Sequence, residues 1–330
     1  MNTGQSPEKK LRIVFMGTPA FAVPMLIGLM DAGYHIVAVI TAPDKPAGRG
    51  LQIQYSDVKK AALEYDIPIL QPANLKDPEF IKTYQALSPD LNVVVAFRML
   101  PEVIWRCPRL GTFNLHASLL PQYRGAAPIN WAIINGETET GLTTFFIDKE
   151  IDTGKIILQE KLPVSPNETA GELHDRMMIM GAEMVLKTVK LIENQEIDLT
   201  EQSQLIDKYN IKLKSAPKIS KETCRVNWSA SLQSIYNLIR GLSPSPSAFT
   251  MLVDSKGVST QLKIYSCSIK FFSNAYLTGS LDTDNKTYLA INHPEGQLFI
   301  TELQLAGRKR LRVADFLRGF ALLTPEWHVV

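Results

Sequence analysis

Four short apolar runs, "LRIVFMG", "YHIVAVIT", "LNVVVAF" and "GTFNLH", constrain the fold of this chain more than any other feature. The first three lack the polar–apolar alternation of a half-exposed strand. A strand that is apolar along its whole length has both faces covered, as in a parallel sheet packed between helices. The intervening segments agree. "PAFAVPMLIGLMDAG" carries apolar residues at helical spacing and stops at Gly33. "SDVKKAALEYD" opens on Ser56, a good N-cap, and "DPEFIKTYQAL" follows "IPIL", a further short strand. Strands separated by helices predict a mostly parallel α/β sheet with helices on both faces.

Further on, "LTTFFID" and "GKIILQEKL" flank "KEIDTG" as two strands around a turn. "TAGELHDRMMIMGAEMVLKTVKLIEN" reads as a long amphipathic helix capped near Thr169. "DKYNIKLKSAPKISKE" is polar, lysine-bearing and aperiodic, and so reads as a linker. Beyond it, "WSASLQSIYNLIRGL" predicts one helix. Short runs such as "AFTMLV", "LKIYSCSI", "TYLAI" and "QLFITELQ", separated by turn residues, predict a small barrel. A chain of 330 residues holds about two domains. The boundaries fall at 1–207, a linker at 208–219, and 220–330.

Charge divides the same way. Residues 1–207 hold 19 Lys+Arg against 25 Asp+Glu, whereas residues 208–330 hold 16 against 8. A basic C-terminal part fits a polyanionic partner, and equally a solvated basic surface.

Several classes are excluded. Cys107, Cys224 and Cys267 form neither a disulfide framework nor a zinc motif, which predicts a reduced, cytoplasmic protein without metal. "IVFMGTPAFAVPMLIGLM" looks like a secretory leader, but two prolines and two glycines break it, and it reads as strand, turn and helix. No run approaches the roughly 18 apolar residues of a membrane span. The first strand–helix turn has Gly17 but no G-x-G-x-x-G, which argues against a nicotinamide enzyme.

The residues left for chemistry are few. Asn114 and His116 stand two apart at a strand end, so both point to one face at the carboxyl edge of the sheet, where open α/β sheets bind ligands. A neutral amide beside a donor or proton carrier suits an oxyanion forming at a carbonyl. Asp152 sits in "EIDTG", where it serves either turn chemistry or the orientation of His116. An aspartic protease also uses Asp-Thr-Gly but needs two carboxylates sharing a proton, and only one copy is present. Ser118 has no nucleophile-elbow context. Lys45 and Arg49 in "PDKPAGRG", and Arg308, Lys309, Arg310 and Arg312 in "GRKRLR", are candidates for phosphate contact.

Together "FMGTPAFAVPML", "APDKPAGRG", "NLHASLLPQYRGAAPINWAI", "EIDTGKI", "APKISKETCRVNW" and "LQLAGRKRL…ADFLRG" resemble the methionyl-tRNA formyltransferase family over most of the chain. The resemblance implies a Rossmann-like catalytic domain followed by an OB-like tRNA-binding domain. It implies 10-formyltetrahydrofolate as formyl donor, initiator methionyl-tRNA as acceptor, no metal and no membrane, in a protein read as a monomer. The family's catalytic residues fall on Asn114, His116 and Asp152. Its folate-contacting segment falls on Ser118, Leu119, Leu120 and Pro121, with Arg98, Met99 and Leu100 in the pterin loop. Its acceptor-stem loop falls on the stretch around Lys45 and Arg49; Arg308, Lys309 and Arg310 are the basic cluster of the second part, placed to grip the same nucleic acid. Two positions depart from the pattern: Glu150 stands where many relatives have glycine, and Phe97-Arg98 where they have tyrosine-glycine.

By the same resemblance, the α-amino group of the methionyl ester attacks the formyl carbon and negative charge grows on the formyl oxygen. Asn114 donates to that oxygen, His116 donates to it or passes a proton, and Asp152 orients His116. Two rivals predict other outcomes. A formyltransferase acting on a purine precursor or an amino sugar has no need of a basic second domain. A non-enzymatic RNA-binding protein leaves Asn114, His116 and Asp152 without a purpose.

Overall fold

A computed structural model describes residues 10–47, 52–273, 277–320, 322 and 326–330. The chain divides into two compact units, Met1–Gly125 with Gly141–Leu162 and His174–Ser215, and Ala126–Thr140 with Pro163–Leu173 and Ala216–Val330.

The first unit is built on a sheet. Its parallel part contains β1 (Arg12–Gly17), β2 (His35–Ile40), β5 (Ile69–Leu70), β6 (Leu91–Val95) and β7 (Thr112–His116). β9 (Glu139–Phe146) runs antiparallel to β7, and β10 (Ile156–Pro163) lies beyond it, giving the order β10-β9-β7-β6-β1-β2-β5. The hairpin of β3 (Lys45–Ala47) and β4 (Gln52–Gln54) and the two-residue β8 (Arg124–Gly125) stand apart from this sheet.

The apolar runs behave as expected: every residue of β6 is buried, and β1 is buried after Arg12. On one face, α3 (Pro78–Ala86) and α4 (Glu102–Trp105) bring Phe80, Tyr84 and Ile104 against Val14, Met16 and Val94. On the other lie α1 (Val23–Asp31) and the long α6 (Ala170–Glu193). A Cβ on Gly181 of α6 would stand 2.2 Å from Met25 Cε and 2.9 Å from Leu115 Cδ2, so glycine lets this helix pack on β7 without displacing those side-chain ends. Leu115 faces α6, and strand alternation therefore turns Asn114 and His116 to the opposite face.

Local signals also hold. Ser56 caps α2 (Asp57–Glu64) by accepting from Lys59 N at 3.1 Å. Thr169 and Glu172 form a reciprocal capping box at the start of α6. The polar stretch after α6 contains a helix that the sequence pattern does not show, α7 (Gln202–Tyr209).

The second unit includes α5 (Pro128–Ile134) and α8 (Leu232–Gly241). β11 (Ser215–Ala216) stands at the division between the units. "WSAS" precedes α8, which starts later than the sequence expectation because Ser231 caps it by accepting from Ser234 N at 3.2 Å. The barrel follows: β12 (Ala248–Val253), β13 (Ser259–Phe271), β14 (Leu281–Thr283), β15 (Leu289–His293), β16 (Gly296–Leu305), β17 (Leu311–Arg312), α9 (Val313–Arg318) and β18 (His328–Val329). The strand order is β14-β15-β16-β13-β12-β18, with β17 on β16. Ser280, just before β14, bridges His328 on β18, which brings the two ends of the sheet together as in an OB-like barrel. Its core gathers Trp228, Ile235, Ile264, Ile291, Leu298 and Leu303.

Candidate active site

β6 and β7 are parallel neighbours, so the segments leaving them emerge at the same sheet edge. Those segments are residues 96–101, which carry Arg98, Met99 and Leu100, and residues 117–125, which carry Ser118 to Pro121.

His116 ends β7 and is buried. Its Nε2 lies 2.9 Å from the carbonyl of Tyr123. A carbonyl only accepts, so Nε2 carries the hydrogen and donates. Nδ1 is left facing Asp152, whose Oδ2 stands 3.8 Å away. That separation exceeds a hydrogen bond. The ring meets Phe145 of β9 edge to face, at 6.5 Å between centroids. Asn114 is half-buried, and its carboxamide makes no hydrogen bond among the described residues. No described residue competes for its N–H₂.

Asp152 is held differently. It sits in the left-handed region, at φ 55°, where non-glycine residues are uncommon. Its Oδ2 accepts from Gly125 N at 2.9 Å. The glycine two residues on is required sterically, because a Cβ on Gly154 would fall 1.7 Å from the carbonyl oxygen of Phe146. Upstream, Asp148 accepts from Glu150 N at 3.1 Å and from the Thr153 hydroxyl at 2.8 Å, closing the turn. Glu150 itself is exposed.

The Ser118–Pro121 segment is fastened to the antiparallel strands. Thr143, paired with His116 across the ladder, donates to the Ser118 carbonyl at 2.6 Å and accepts from Leu120 N at 3.1 Å. Gln159 donates to the Leu120 carbonyl at 2.7 Å. Ser118, Leu120 and Pro121 are buried, and Leu119 is the part-exposed residue of this segment. In the neighbouring segment Leu100 is also buried, while Met99 is 70% exposed. Arg98 does not project freely: its guanidinium donates to the carbonyls of Pro72 and Ala73, and burial pulls its pKa down.

Of the nucleic-acid candidates, Lys45 opens the β3 hairpin beside Asp44. Asp44 accepts from Gln71 at 2.8 Å and from the Lys59 ammonium at 2.5 Å, which hold its carboxyl below the usual carboxylate range. Arg49 lies outside the described residues. In the barrel, Arg310 pairs with Glu302 and lies 4.2 Å over the Tyr265 ring, and Arg308 lies 5.2 Å over Phe320. Lys309 is exposed.

The structure adds residues that sequence reasoning missed: Gln122, Tyr123, Thr143, Gln159 and Gln202. Paired threonines inside the apolar "GLTTFF" strand are a signal that points to Thr143. Gln159 and Gln202 sit in ordinary polar surroundings, with nothing in the sequence to mark them. Within the stretch read as a linker, Lys212 O accepts from Gln122 Nε2 at 2.9 Å and Lys214 N donates to Gln122 Oε1 at 2.7 Å. Lys214 O accepts from Tyr123 N at 2.7 Å. This stretch therefore secures the residue whose carbonyl holds His116.

Among the described residues, no group of His, Cys, Asp or Glu could hold a metal, and no helix is long and apolar enough to cross a membrane.

Residues 11–189 match the family described as formyl transferase, and residues 218–321 match its C-terminal domain. A methionyl-tRNA formyltransferase of Bacteroides thetaiotaomicron is 50% identical over 96% of this chain and 97% of its own length. One from Phocaeicola vulgatus is 52% identical over 95% and 97%. Among solved structures, the sugar 3N-formyl transferase WlaRD superposes with a TM-score of 0.64 at 21% identity, over 92% of this chain and 100% of that one. HypX from Aquifex aeolicus, in complex with tetrahydrofolic acid, does so with a TM-score of 0.63 at 16% identity, over 94% and 47%. At such identities the two structures speak to the fold alone.

Proposed function

This chain belongs to the methionyl-tRNA formyltransferase family, and from that premise we propose that it transfers the formyl group of 10-formyltetrahydrofolate to the α-amino group of initiator methionyl-tRNA, with Asn114, His116 and Asp152 around the carbon in transit. The observation that carries this reading is the convergence of His116 and Asp152, 3.8 Å apart at the end of β7, beside an Asn114 amide with no hydrogen-bond partner among the described residues.

The residues present fit a folate. Met99 is an exposed apolar side chain at the sheet edge, and the Ser118–Pro121 backbone is locked by Thr143 and Gln159. These two segments would hold the donor, with Arg98 fastened to the carbonyls of Pro72 and Ala73 at the surface and Leu100 buried beneath the loop. When bound, the donor supplies the one-carbon group.

Everything else falls to the chain's own residues and the aminoacyl-tRNA. A free α-amino group has a pKa of about 7.7–8.0, so a useful fraction is neutral near pH 7 and no protein nucleophile is needed. Asn114 donates to the oxygen on which charge develops. A fixed donor of this kind is effective because no reorganisation is needed as the charge forms. His116, held at Nε2 by Tyr123, presents Nδ1 as an acceptor for the proton that the amine loses, and Asp152 steadies the charged ring so formed. As the new carbon–nitrogen bond is completed, the bond from the formyl carbon to the folate nitrogen breaks, and that nitrogen takes up the proton the amine has given up. Residues 1–207 form the catalytic domain and 220–330 the tRNA-binding domain, joined by 208–219, in a protein that acts as a monomer. Lys45 and Arg49, with Arg308, Lys309 and Arg310, contact phosphates. The rival on a purine precursor or amino sugar is disfavoured by relatives about 50% identical over nearly the full chain that carry the methionyl-tRNA name.

One assay tests the reading. The protein is incubated with 10-formyltetrahydrofolate and methionine-charged initiator tRNA, and N-formylmethionine is sought after ester hydrolysis. Elongator methionyl-tRNA serves as the specificity control. Absence of formylated product with initiator tRNA, or equal product with both tRNAs, would contradict the corresponding part of the proposal.

A further inference from the structure

Gln202 holds the loop bearing Asp152 from outside. Gln202 is the first residue of α7 and only 2% exposed. Its Nε2 donates to the carbonyl of Asp152 at 3.0 Å and to that of Gly154 at 2.8 Å. Its Oε1 accepts from Arg124 Nε at 3.0 Å and Nη2 at 2.7 Å. A guanidinium only donates and a backbone carbonyl only accepts, so these partners fix which end of the amide points where.

The circuit then closes on itself. Arg124 orients Gln202, Gln202 grips the backbone of Asp152, and the Asp152 carboxylate accepts from the N–H of Gly125, the residue after Arg124. Leu205, one turn further along α7, packs on Leu120, Phe145 and Ile156 and anchors the helix that carries Gln202. A left-handed φ at a non-glycine residue persists where its surroundings over-determine it. Here the surroundings are Gln202 on the carbonyl side and Gly125 on the carboxylate side.

We propose that Gln202 is a positioning residue for formyl transfer: through Arg124 and the carbonyls of Asp152 and Gly154 it sets the Asp152 carboxylate against His116. This rests on the role given to Asp152 above. Gln202 reaches neither substrate in this scheme; it acts only through the loop it holds.

The test uses the full-length protein. Gln202→Leu and Gln202→Glu are made alone and in an Asp152→Asn background, and kcat and KM are measured for both substrates, with circular dichroism on each variant. Gln202→Leu removes all four hydrogen bonds. Gln202→Glu keeps the shape and the Arg124 contact but turns an oxygen onto two carbonyls. Each is expected to lower kcat by about 10–100-fold, since displacement of a reacting group by about 1 Å can cost about 10²-fold. KM should stay within about two-fold, because uniform binding is untouched. In the Asp152→Asn background the same substitutions should add less than about two-fold, as expected of residues acting through one network.

A kcat near wild type in both variants overturns the proposal. So does a loss that multiplies in full with Asp152→Asn, because Gln202 would then act elsewhere. Failure of both variants to fold assigns Gln202 a purely structural role and also overturns it. Should Asp152→Asn alone turn over normally, the reading of Asp152 falls, and this inference with it. A damaged Asp152→Asn beside harmless Gln202 variants removes only the inference.

Discussion

The candidate site is assembled from two kinds of anchorage. Asn114 and His116 stand on a strand, and their backbone is set by ladders to β6 on one side and β9 on the other, with Leu115 buried against α6 between them. Asp152 stands on a loop outside any ladder. Its place depends on a left-handed backbone, a glycine two residues on, and side-chain bonds from Gln202 and to Gly125. Strand positions are secured by many bonds that each residue shares with its neighbours. Loop positions are secured by a few specific ones. Substitutions near His116 should therefore damage stability before geometry, and those near Asp152 should damage geometry before stability.

The largest expected effect removes the groups themselves. Asn114→Ala should lower kcat by about 10²–10³-fold, about 2.7–4 kcal/mol in barrier height, the usual cost of losing one oxyanion donor. Asp152→Ala should lose orders of magnitude as well, and both should keep their circular dichroism spectrum. Steady-state kinetics with charged initiator tRNA decides the matter: near-normal turnover in either variant refutes its assigned role.

Next come substitutions beside these residues, where the two anchorages part. Leu115→Ala opens a cavity under the strand and should cost about 2–5 kcal/mol of stability, with kcat falling less in proportion. Gly154→Ala drives a Cβ into the Phe146 carbonyl and must displace the loop that carries Asp152. It should cost about 1–3 kcal/mol, the usual range for overpacking, with a disproportionate fall in kcat. Denaturant melts paired with turnover measurements separate the two. If Leu115→Ala lost more activity per unit of stability than Gly154→Ala, the distinction between strand and loop would fail.

The same distinction explains how much was legible in the sequence. Asn114 and His116 could be found because strand periodicity is local: two residues apart means one face, whatever the tertiary structure. The parallel sheet was legible because uninterrupted apolar runs admit few alternatives. Asp152 could be found only as part of "EIDTG", since nothing in the sequence says what its loop leans on. Gln202 and Gln159 could not be found at all, because a glutamine in a polar segment becomes a clamp only when distant carbonyls converge on it. α7 was missed for a related reason. Its helix is short and polar, and the apolar residue that seats it, Leu205, meets its partners only through tertiary packing.

A smaller effect tests whether loop anchorage of this kind recurs away from the catalytic residues. Asp44, next to Lys45, is fixed by Gln71 and Lys59 rather than by a long ladder, and these partners hold its carboxyl below the usual range. A carboxyl with a depressed folded pKa contributes stability that is present above its unfolded pKa, about 3.9, and is lost as pH falls through the folded value. Asp44→Asn should therefore be less stable than the parent at neutral pH, and the gap should close progressively as pH falls below about 4. Thermal melts of parent and variant between neutral and strongly acid pH measure this. A gap that stayed constant across the range would mean that the carboxylate's charge contributes nothing, and that Gln71 holds the base of the hairpin by neutral hydrogen bonding alone.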